Sequence, residues 1–324
     1  MWQTPKQNFK CYHLVTKMSI ANKRMNATET IKKLDKKIKK WISNWVSTPT
    51  PRELFLVEPM SAFTNYLNGQ DISYTLGDQS ENLATWHLIN YENTAFKGEP
   101  NYEELAYATF HYGQMLEIKK SLADIDSGGS ILLAVSALSF SLAAISGWEN
   151  ECAARFNILK TGLDSPLLHL QKNEKHDAGK LFRHFWFLLE LYARSIGQHI
   201  DTSLYSYPTK ISPYDRVLQN WDTSDQAVLQ DLISQMADFH LSQTLTTEHD
   251  DVLEFDYEER MLFPYEILAF LKIREWANLN NPITFDHPLM QHPLAKNPPT
   301  LNIPNIHLFK DAIDKLKKEL SLKS

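Results

Sequence analysis

Residues 131–145 read ILLAVSALSFSLAAI and form the one segment of this chain that could be mistaken for a membrane span. The run is shorter than the roughly 20 residues that a bilayer requires, and it contains Ser136, Ser139 and Ser141. Small side chains would let such a helix approach its neighbours closely, and they are those of Ala134, Ala137, Ala143 and Ala144. We therefore predict a buried central helix.

The same helical periodicity extends along most of the chain. Apolar residues recur with a period close to 3.6, and convincing period-2 alternation is absent. The predicted helices lie at about residues 28–50, 53–68, 79–94, 101–124, 129–145, 149–160, 178–199, 224–246, 264–278 and 304–321. We predict an all-α fold of about ten helices, arranged as an irregular stack of helical hairpins. Two longer linkers are expected, at about residues 201–222 and 279–303.

Charge is distributed unevenly along the sequence. The whole chain has 33 Lys and Arg residues against 39 Asp and Glu residues. Residues 1–50 have 11 against 2, residues 51–300 have 17 against 34, and residues 301–324 have 5 against 3. A central body with a formal charge of −17 repels nucleic acid and anionic lipid and attracts cationic surfaces. We therefore predict a basic partner, and no binding to nucleic acid or membranes.

This charge pattern also suggests the organisation of the chain. We predict four parts: a loose N-terminal arm at 1–27, a basic amphipathic helix at 28–50, an acidic helical domain at 51–300 and a C-terminal helix at 301–324. Within the basic helix, one apolar stripe contains Ile31, Leu34, Ile38 and Ile42, with lysines on the other faces. This helix could contact a membrane or nucleic acid, or it could dock on the acidic body of the same chain.

The cysteines and the N-terminus indicate the compartment. Cys11 and Cys152 are the only cysteines, which is too few for a disulfide framework and suits a reducing environment. Lysines occur at positions 6, 10 and 17, but no apolar stretch of signal-peptide length follows them before Lys23 and Arg24. We expect a cytoplasmic protein.

Motifs of catalysis are missing from the sequence. It has no phosphate-binding glycine-rich loop, no His-Glu-x-x-His, no cysteine pair at metal-binding spacing and no Gly-x-Ser-x-Gly. It also lacks the Glu-x-x-His of helical di-iron bundles. We therefore predict that the chain is not an enzyme and uses no cofactor or metal.

The strongest candidate site is an acidic segment after the predicted helix at 224–246. His249 and Asp250 could be the central dyad of an HD-type metal phosphohydrolase, with His240 and a remote Asp completing the ligand set. However, His240 lies nine residues before His249, on the same or an adjoining helix, whereas such ligands usually come from separate helices. A solvated acidic loop is the plainest alternative. We predict a patch that binds a cationic partner, made of Glu248, Asp250, Asp251, Glu254, Asp256, Glu258 and Glu259.

Two further patterns have both a structural and a functional interpretation. His287 and His292 each precede a Pro-Leu pair and could offer imidazoles to a metal, but proline fixes an extended backbone, so a packed loop is favoured. The aromatic segment from Phe182 to Tyr192 has core-like helical spacing, which favours a buried helix over a platform for stacking bases.

The order of several segments resembles a known group of proteins. After the small-residue helix come Gly147-Trp148-Glu149 and a helix with Ala153 and Ala154, then the aromatic helix, and then residues 263–268 (FPYEIL) leading to Arg274. Over roughly residues 100–295 this pattern resembles the helical immunity proteins of bacterial polymorphic toxin systems, and the immunity protein 49 family is nearest. Immunity proteins that guard against secreted DNA-degrading toxins fit the pattern equally.

The resemblance implies a non-catalytic cytoplasmic inhibitor that binds the toxin domain of a secreted effector in competition between bacteria. It implies no catalytic residues. The charge argument agrees independently, because nuclease-like toxins have basic substrate grooves to which an acidic body would be steered. The alternatives are the HD-type phosphohydrolase that uses His249 and Asp250, and a generic helical scaffold.

Overall fold

A computed structural model of the chain describes residues 8–125, 128–171, 182–244 and 253–322. Regular secondary structure in these ranges is helical, apart from one β-bridge between Gln171 and Tyr205. The α-helices are α1 Asn8–Ser47, α2 Pro49–Arg52, α3 Glu58–Leu67, α4 Leu76–Ala95, α5 Tyr102–Ala123, α6 Leu133–Ile145, α7 Glu149–Gly162, α8 Arg183–Ser195, α9 Tyr214–Gln219, α10 Gln226–Ser242, α11 Tyr265–Trp276 and α12 His307–Ser321. A π-helical stretch, Glu53–Val57, joins α2 to α3. The prediction of an all-α fold with about ten helices is confirmed.

Helix α6 is the centre of the molecule, as its sequence predicts. All of its residues are buried, including the three serines, and it packs against α5, α7, α8 and α11. The hydroxyl of Ser139 donates a hydrogen bond of 3.1 Å to the carbonyl of Tyr112 on α5, which compensates its loss of water. After α6, Gly147 adopts a φ of +74°, and the amides of Gly147 and Trp148 bond to carbonyls of the last turn.

Two hydrophobic cores hold the helices together. The large core surrounds α6 and includes residues of α4, α5, α7, α8, α10 and α11. It also contains Phe185, Trp186 and Phe187, so the prediction that the aromatic helix is buried is confirmed. The small core lies between α3, α5 and α12 and contains Phe63, Ile118 and Phe309. The C-terminal helix therefore completes a core instead of standing apart from the body.

Helix α1 extends the predicted basic helix in the N-terminal direction. The described residues are helical from Asn8 onward, so the expected boundary at Thr28 between an arm and a helix is not a helix start. The reason is that residues 8–47 contain no proline or glycine to interrupt the helix. Leu34, Ile38 and Ile42 are buried against the body, where α1 contacts α4 and α10. Of the three roles considered for the basic helix, the structure shows docking on the chain itself.

The two predicted linkers contain short helices. Helix α9 lies inside the segment expected to be a linker at 201–222, and it buries Tyr214, Val217 and Leu218. The second linker contains the 3₁₀ turns Pro288–Gln291 and Pro293–Ala295. Both predictions missed elements of three to six residues, because elements this short show too few periods of an apolar pattern. Across the described ranges, no helix has both the length and the apolarity to cross a bilayer.

Candidate functional site

The structure divides the predicted acidic patch. Glu248, Asp250 and Asp251 lie outside the described residues, as does His249. Of the remaining four residues, Asp256 and Glu258 are half-exposed, whereas Glu254 is 6% exposed and Glu259 is 7% exposed. The expectation that the seven carboxylates share one solvent-facing patch is therefore corrected at Glu254 and Glu259.

Glu254 is buried because it binds the start of α8. Its Oε1 accepts a hydrogen bond of 2.7 Å from Arg183 Nε, and its Oε2 accepts one of 3.0 Å from the backbone amide of His184. His184 Nδ1 lies 2.7 Å from the same Oε2 and is assigned as a donor, since the carboxylate can only accept. Burial alone would raise the pKa of Glu254, but the bonds from His184 and Arg183 outweigh it and lower the pKa to about 2.

Glu259 is paired with its neighbour in sequence. Its Oε1 lies 3.2 Å from Arg260 Nε, and both side chains are buried. Burial disfavours the charge on Arg260, but the Glu259 carboxylate and weaker contributions from other acidic groups together outweigh burial and raise the pKa of Arg260. Glu258, in contrast, lies 3.2 Å from Lys37 Nζ on α1, with both side chains partly exposed. The acidic segment thus binds α1 and the interior of the same chain.

A second buried carboxylate faces this ion pair from α4. Glu92 is fully enclosed, and neither of its oxygens has a hydrogen-bond partner among the described residues. Burial and the charge of Glu259 both raise the pKa of Glu92 well above its ordinary value. The interior therefore favours the protonated, neutral form of Glu92 over its carboxylate.

Two histidine–glutamate pairs lie in the interior beside these groups. In the first, His184 is bound to Glu254, and its Nε2 lies 3.1 Å from the hydroxyl of Tyr265. In the second, His240 Nδ1 lies 2.9 Å from Glu266 Oε1, and His240 Nε2 lies 3.1 Å from the carbonyl of Arg260. Both imidazoles are fully buried and lie next to Phe255. The Phe255 ring stacks on His240 at a centroid distance of 4.0 Å.

This buried network connects α8, α10 and α11 and has no exposed imidazole. Both ring nitrogens of His240 are occupied, so this residue is not free to ligate a metal in the way that the phosphohydrolase hypothesis requires. In the ranges that the structure covers, no three His, Cys, Asp or Glu side chains are grouped to hold a metal ion. The network serves the packing of the core.

The two His-Pro-Leu segments form 3₁₀ turns, as the packed-loop prediction requires. His287 Nδ1 accepts a hydrogen bond of 3.1 Å from the amide of Leu289, and His292 Nδ1 accepts one of 3.3 Å from the amide of Leu294. The other nitrogens lie 3.3 Å from Asp238 and 3.4 Å from Asp35. Each buried histidine therefore caps the turn that follows it.

A larger set of accessible carboxylates lies on α9, α10, α11 and the loops next to them. Residues 214–244 and 275–292 contain seven Asp and Glu residues but only one Lys or Arg residue, Arg216. We call these carboxylates the acidic face, and all are exposed or half-exposed: Asp215, Asp222, Asp225, Asp231, Asp238, Glu275 and Asp286. The loop at 279–287 lies on α10, because the Gln226 side chain donates to Asn280 O and that of Gln230 donates to Thr284 O.

Two carboxylates of the acidic face form ion pairs with Lys or Arg side chains that the structure describes. Arg216 lies 2.6 Å from Asp231, and Lys272 lies 2.8 Å from Glu275. These contacts are exposed and contribute little binding energy, so a partner could replace them. The loop also carries Ile283, whose side chain is 99% exposed. An exposed apolar side chain in the loop that lies on α10 and carries Asp286 suits contact with a protein surface that is cationic and partly apolar.

Sequence reasoning missed the acidic face because its residues are dispersed. No two are adjacent, and 71 positions of the chain separate the first, Asp215, from the last, Asp286. The signal in the sequence that could have indicated this face was the excess of acidic over basic residues at 214–244 and 275–292. The carboxylates of the predicted patch are close together in sequence, yet folding brings Glu254 and Glu259 into contact with arginine side chains.

No protein-family model, curated protein or solved structure matches this chain.

Proposed function

We propose that this chain is an immunity protein that binds and neutralises a cognate secreted antibacterial toxin. The proposed partner is a basic, nuclease-like toxin domain, and the proposed action is occlusion of that domain in the cytoplasm of the producing cell. The observation that carries the proposal is the acidic face around α10, with seven carboxylates and a single arginine in its segments. The resemblance to helical immunity proteins agrees with this charge.

Electrostatics gives the acidic face a direct role in such binding. A toxin that cleaves nucleic acid must present cationic side chains to the phosphate groups of its substrate. Carboxylates of an inhibitor can occupy the positions of those phosphate groups. The wider body also carries a formal charge of −17 between residues 51 and 300, which accelerates the encounter with a cationic protein. Exposed Ile283 supplies an apolar contact within the face.

The interior supports an inhibitor more than an enzyme. The two histidine–glutamate pairs have the residue types of general acid–base catalysis, but both imidazoles are fully buried. A general base must come within hydrogen-bonding distance of its substrate, and these groups bond to the protein itself.

The proposal is tested by protection of cells. The toxin domain encoded beside this chain is expressed in a sensitive bacterium with and without the chain. We expect restored growth and a stable one-to-one complex by size-exclusion chromatography with light scattering. Absence of both protection and complex formation would contradict the proposal. Stoichiometric metal in the purified chain, lost in His249→Ala, would instead favour the phosphohydrolase.

Charge reversal locates the binding surface. We expect the triple variant Asp215→Lys, Asp231→Lys and Glu275→Lys to lose protection. The matched control reverses three exposed carboxylates away from the acidic face, with the same change of net charge: Asp71→Lys, Glu99→Lys and Asp124→Lys. Equal protection by the two triple variants would remove the acidic face from the interface.

A further inference from the structure

A cleft with a volume of about 250 Å³ lies between α5, α7 and the segment that leads into α12. Its volume is somewhat below the range of roughly 300–1,000 Å³ that drug-sized ligands occupy, so it suits a small metabolite. The cleft is remote in sequence from the acidic face and shares no lining residue with it.

Each of the two walls of the cleft carries both acidic and basic side chains. The wall of α5 and α7 contains Glu117, Glu151 and Arg155, and the α12 wall contains Lys310, Asp314 and Lys317. Glu117 Oε2 lies 3.0 Å from Lys317 Nζ, which joins the walls at one point. Among the described side chains, Glu151, Lys310 and Asp314 take part in no ion pair. Cations and anions are balanced, so the cleft favours a ligand that carries both charges.

Arg155 provides an independent indication of a ligand. The residue is 2% exposed, and its guanidinium donates to the carbonyls of Ser139 on α6 and Thr109 on α5. Its buried Nε has no hydrogen-bond partner in the part of the chain that the structure describes. No described carboxylate lies within ion-pair distance of the guanidinium. A buried cation without a counter-ion is costly, and a bound carboxylate would reduce that cost.

Gly113 allows this arrangement. A Cβ at that position would lie 2.5 Å from Arg155 Nη2, so a glycine is needed for the guanidinium to lie against α5. Gly113 and Arg155 both line the cleft. Apolar side chains complete it, and they are those of Phe110, Trp148, Ile303, Ile306 and Ile313.

We propose that this cleft binds a free α-amino acid with an apolar side chain. The carboxylate of the ligand faces Arg155 and Lys310, its ammonium group faces Glu151 and Asp314, and its side chain packs on the isoleucines and aromatic rings. Ion pairs of this kind form charge-assisted hydrogen bonds, which recognise both ends of the ligand. The inference does not depend on the proposed toxin partner.

Isothermal titration calorimetry with L-leucine tests the proposal on the full chain. We expect saturable binding with a dissociation constant below about 1 mM. N-acetyl-leucine lacks the ammonium group and leucinamide lacks the carboxylate, so each should bind at least about tenfold more weakly. Equal binding of all three compounds, or no saturable binding of L-leucine, would overturn the proposal.

Two variants locate the binding within the cleft. Glu151→Gln and Lys310→Gln each remove one accessible charge, and each should weaken L-leucine binding at least about tenfold. Lys318→Gln is the matched control, because Lys318 is exposed on α12 and does not line the cleft. Circular dichroism checks that the variants remain folded. Unchanged affinity in both cleft variants would overturn the assignment.

Discussion

Glu254 shows how a charged residue becomes part of the interior. Its carboxylate accepts hydrogen bonds from a guanidinium, an imidazole and a backbone amide, all at the start of α8. These donors stabilise the charged form, so the carboxylate stays ionised although it is buried. The arrangement ties the acidic segment to α8.

Substitution of Glu254 tests this role. Glu254→Gln leaves Arg183 without its counter-charge and removes the carboxylate acceptor of His184, and we expect the free energy of unfolding to fall by about 3 kcal/mol. Glu258→Gln is the control, because its contact with Lys37 is partly exposed and should change stability by about 0.5 kcal/mol or less. Urea denaturation at pH 7 measures both variants. Equal losses would contradict the interior role of Glu254.

The lowered pKa of Glu254 also predicts a dependence on pH. The carboxyl has a pKa of about 2 in the folded protein and an ordinary value of 4.5 when unfolded. Its contribution to stability is therefore complete above pH 4.5 and is lost as the pH falls towards 2. Urea denaturation between pH 6 and pH 3 should show a weaker loss of stability in Glu254→Gln than in the unmodified chain. Identical pH profiles would contradict this assignment.

Glu92 predicts the opposite dependence. Its pKa is raised on folding, so the unfolded chain releases a proton above pH 4.5 while the folded chain retains it. Stability should therefore fall as the pH rises, by up to about 1.4 kcal/mol per unit from this group. Glu92→Gln should flatten the profile between pH 5.5 and 7.5, whereas exposed Glu99→Gln should leave it unchanged. Equal slopes in all three proteins would exclude a neutral buried Glu92.

Local sequence could not predict the partners of these carboxylates. Glu254 meets Arg183 across 71 residues of chain and His184 across 70. A run of acidic residues predicts repulsion within the run, but it carries no information on cations that folding brings to it. The segment therefore resembled an exposed patch, although two of its described members are interior.

At the scale of helices, prediction depended on the length of the pattern. The apolar run of α6 predicted a buried helix because its hydrophobic residues cover every face. Helix α9 was missed because its six residues span fewer than two turns and follow Pro213. In α1 the apolar stripe predicted the docking face, but the expected start at Thr28 was wrong because the helix continues on the N-terminal side of this residue.

The docking of α1 can be tested through its apolar stripe. Ile38 is buried between α1 and the body, so Ile38→Ala should lower the free energy of unfolding by about 2–4 kcal/mol. Lys36 is exposed on the same helix, and Lys36→Ala should change stability by about 0.5 kcal/mol or less. Urea denaturation gives both values. A loss below about 0.5 kcal/mol in Ile38→Ala would show that α1 does not pack on the body.

For the whole molecule, the sequence predicted the sign of the surface charge but not its location. Residues 51–300 contain 34 acidic and 17 basic residues, so the sign of their net charge follows from the sequence alone. The concentration of exposed carboxylates around α10 depends on how α9, α10 and the loop at 279–287 meet, which no local pattern contains. Arg216 also lies next to Asp231 only in the folded protein.

The rate of association with the purified toxin domain tests most directly whether the acidic face captures a basic protein. Stopped-flow fluorescence would compare the unmodified chain with Asp215→Lys, Asp231→Lys and Glu275→Lys combined. For the unmodified chain we predict an association rate constant that falls at least about tenfold between about 20 and 200 mM NaCl, and for the triple variant a lower value at low salt that falls less steeply with salt. Equal rate constants for both proteins at low salt would contradict the account.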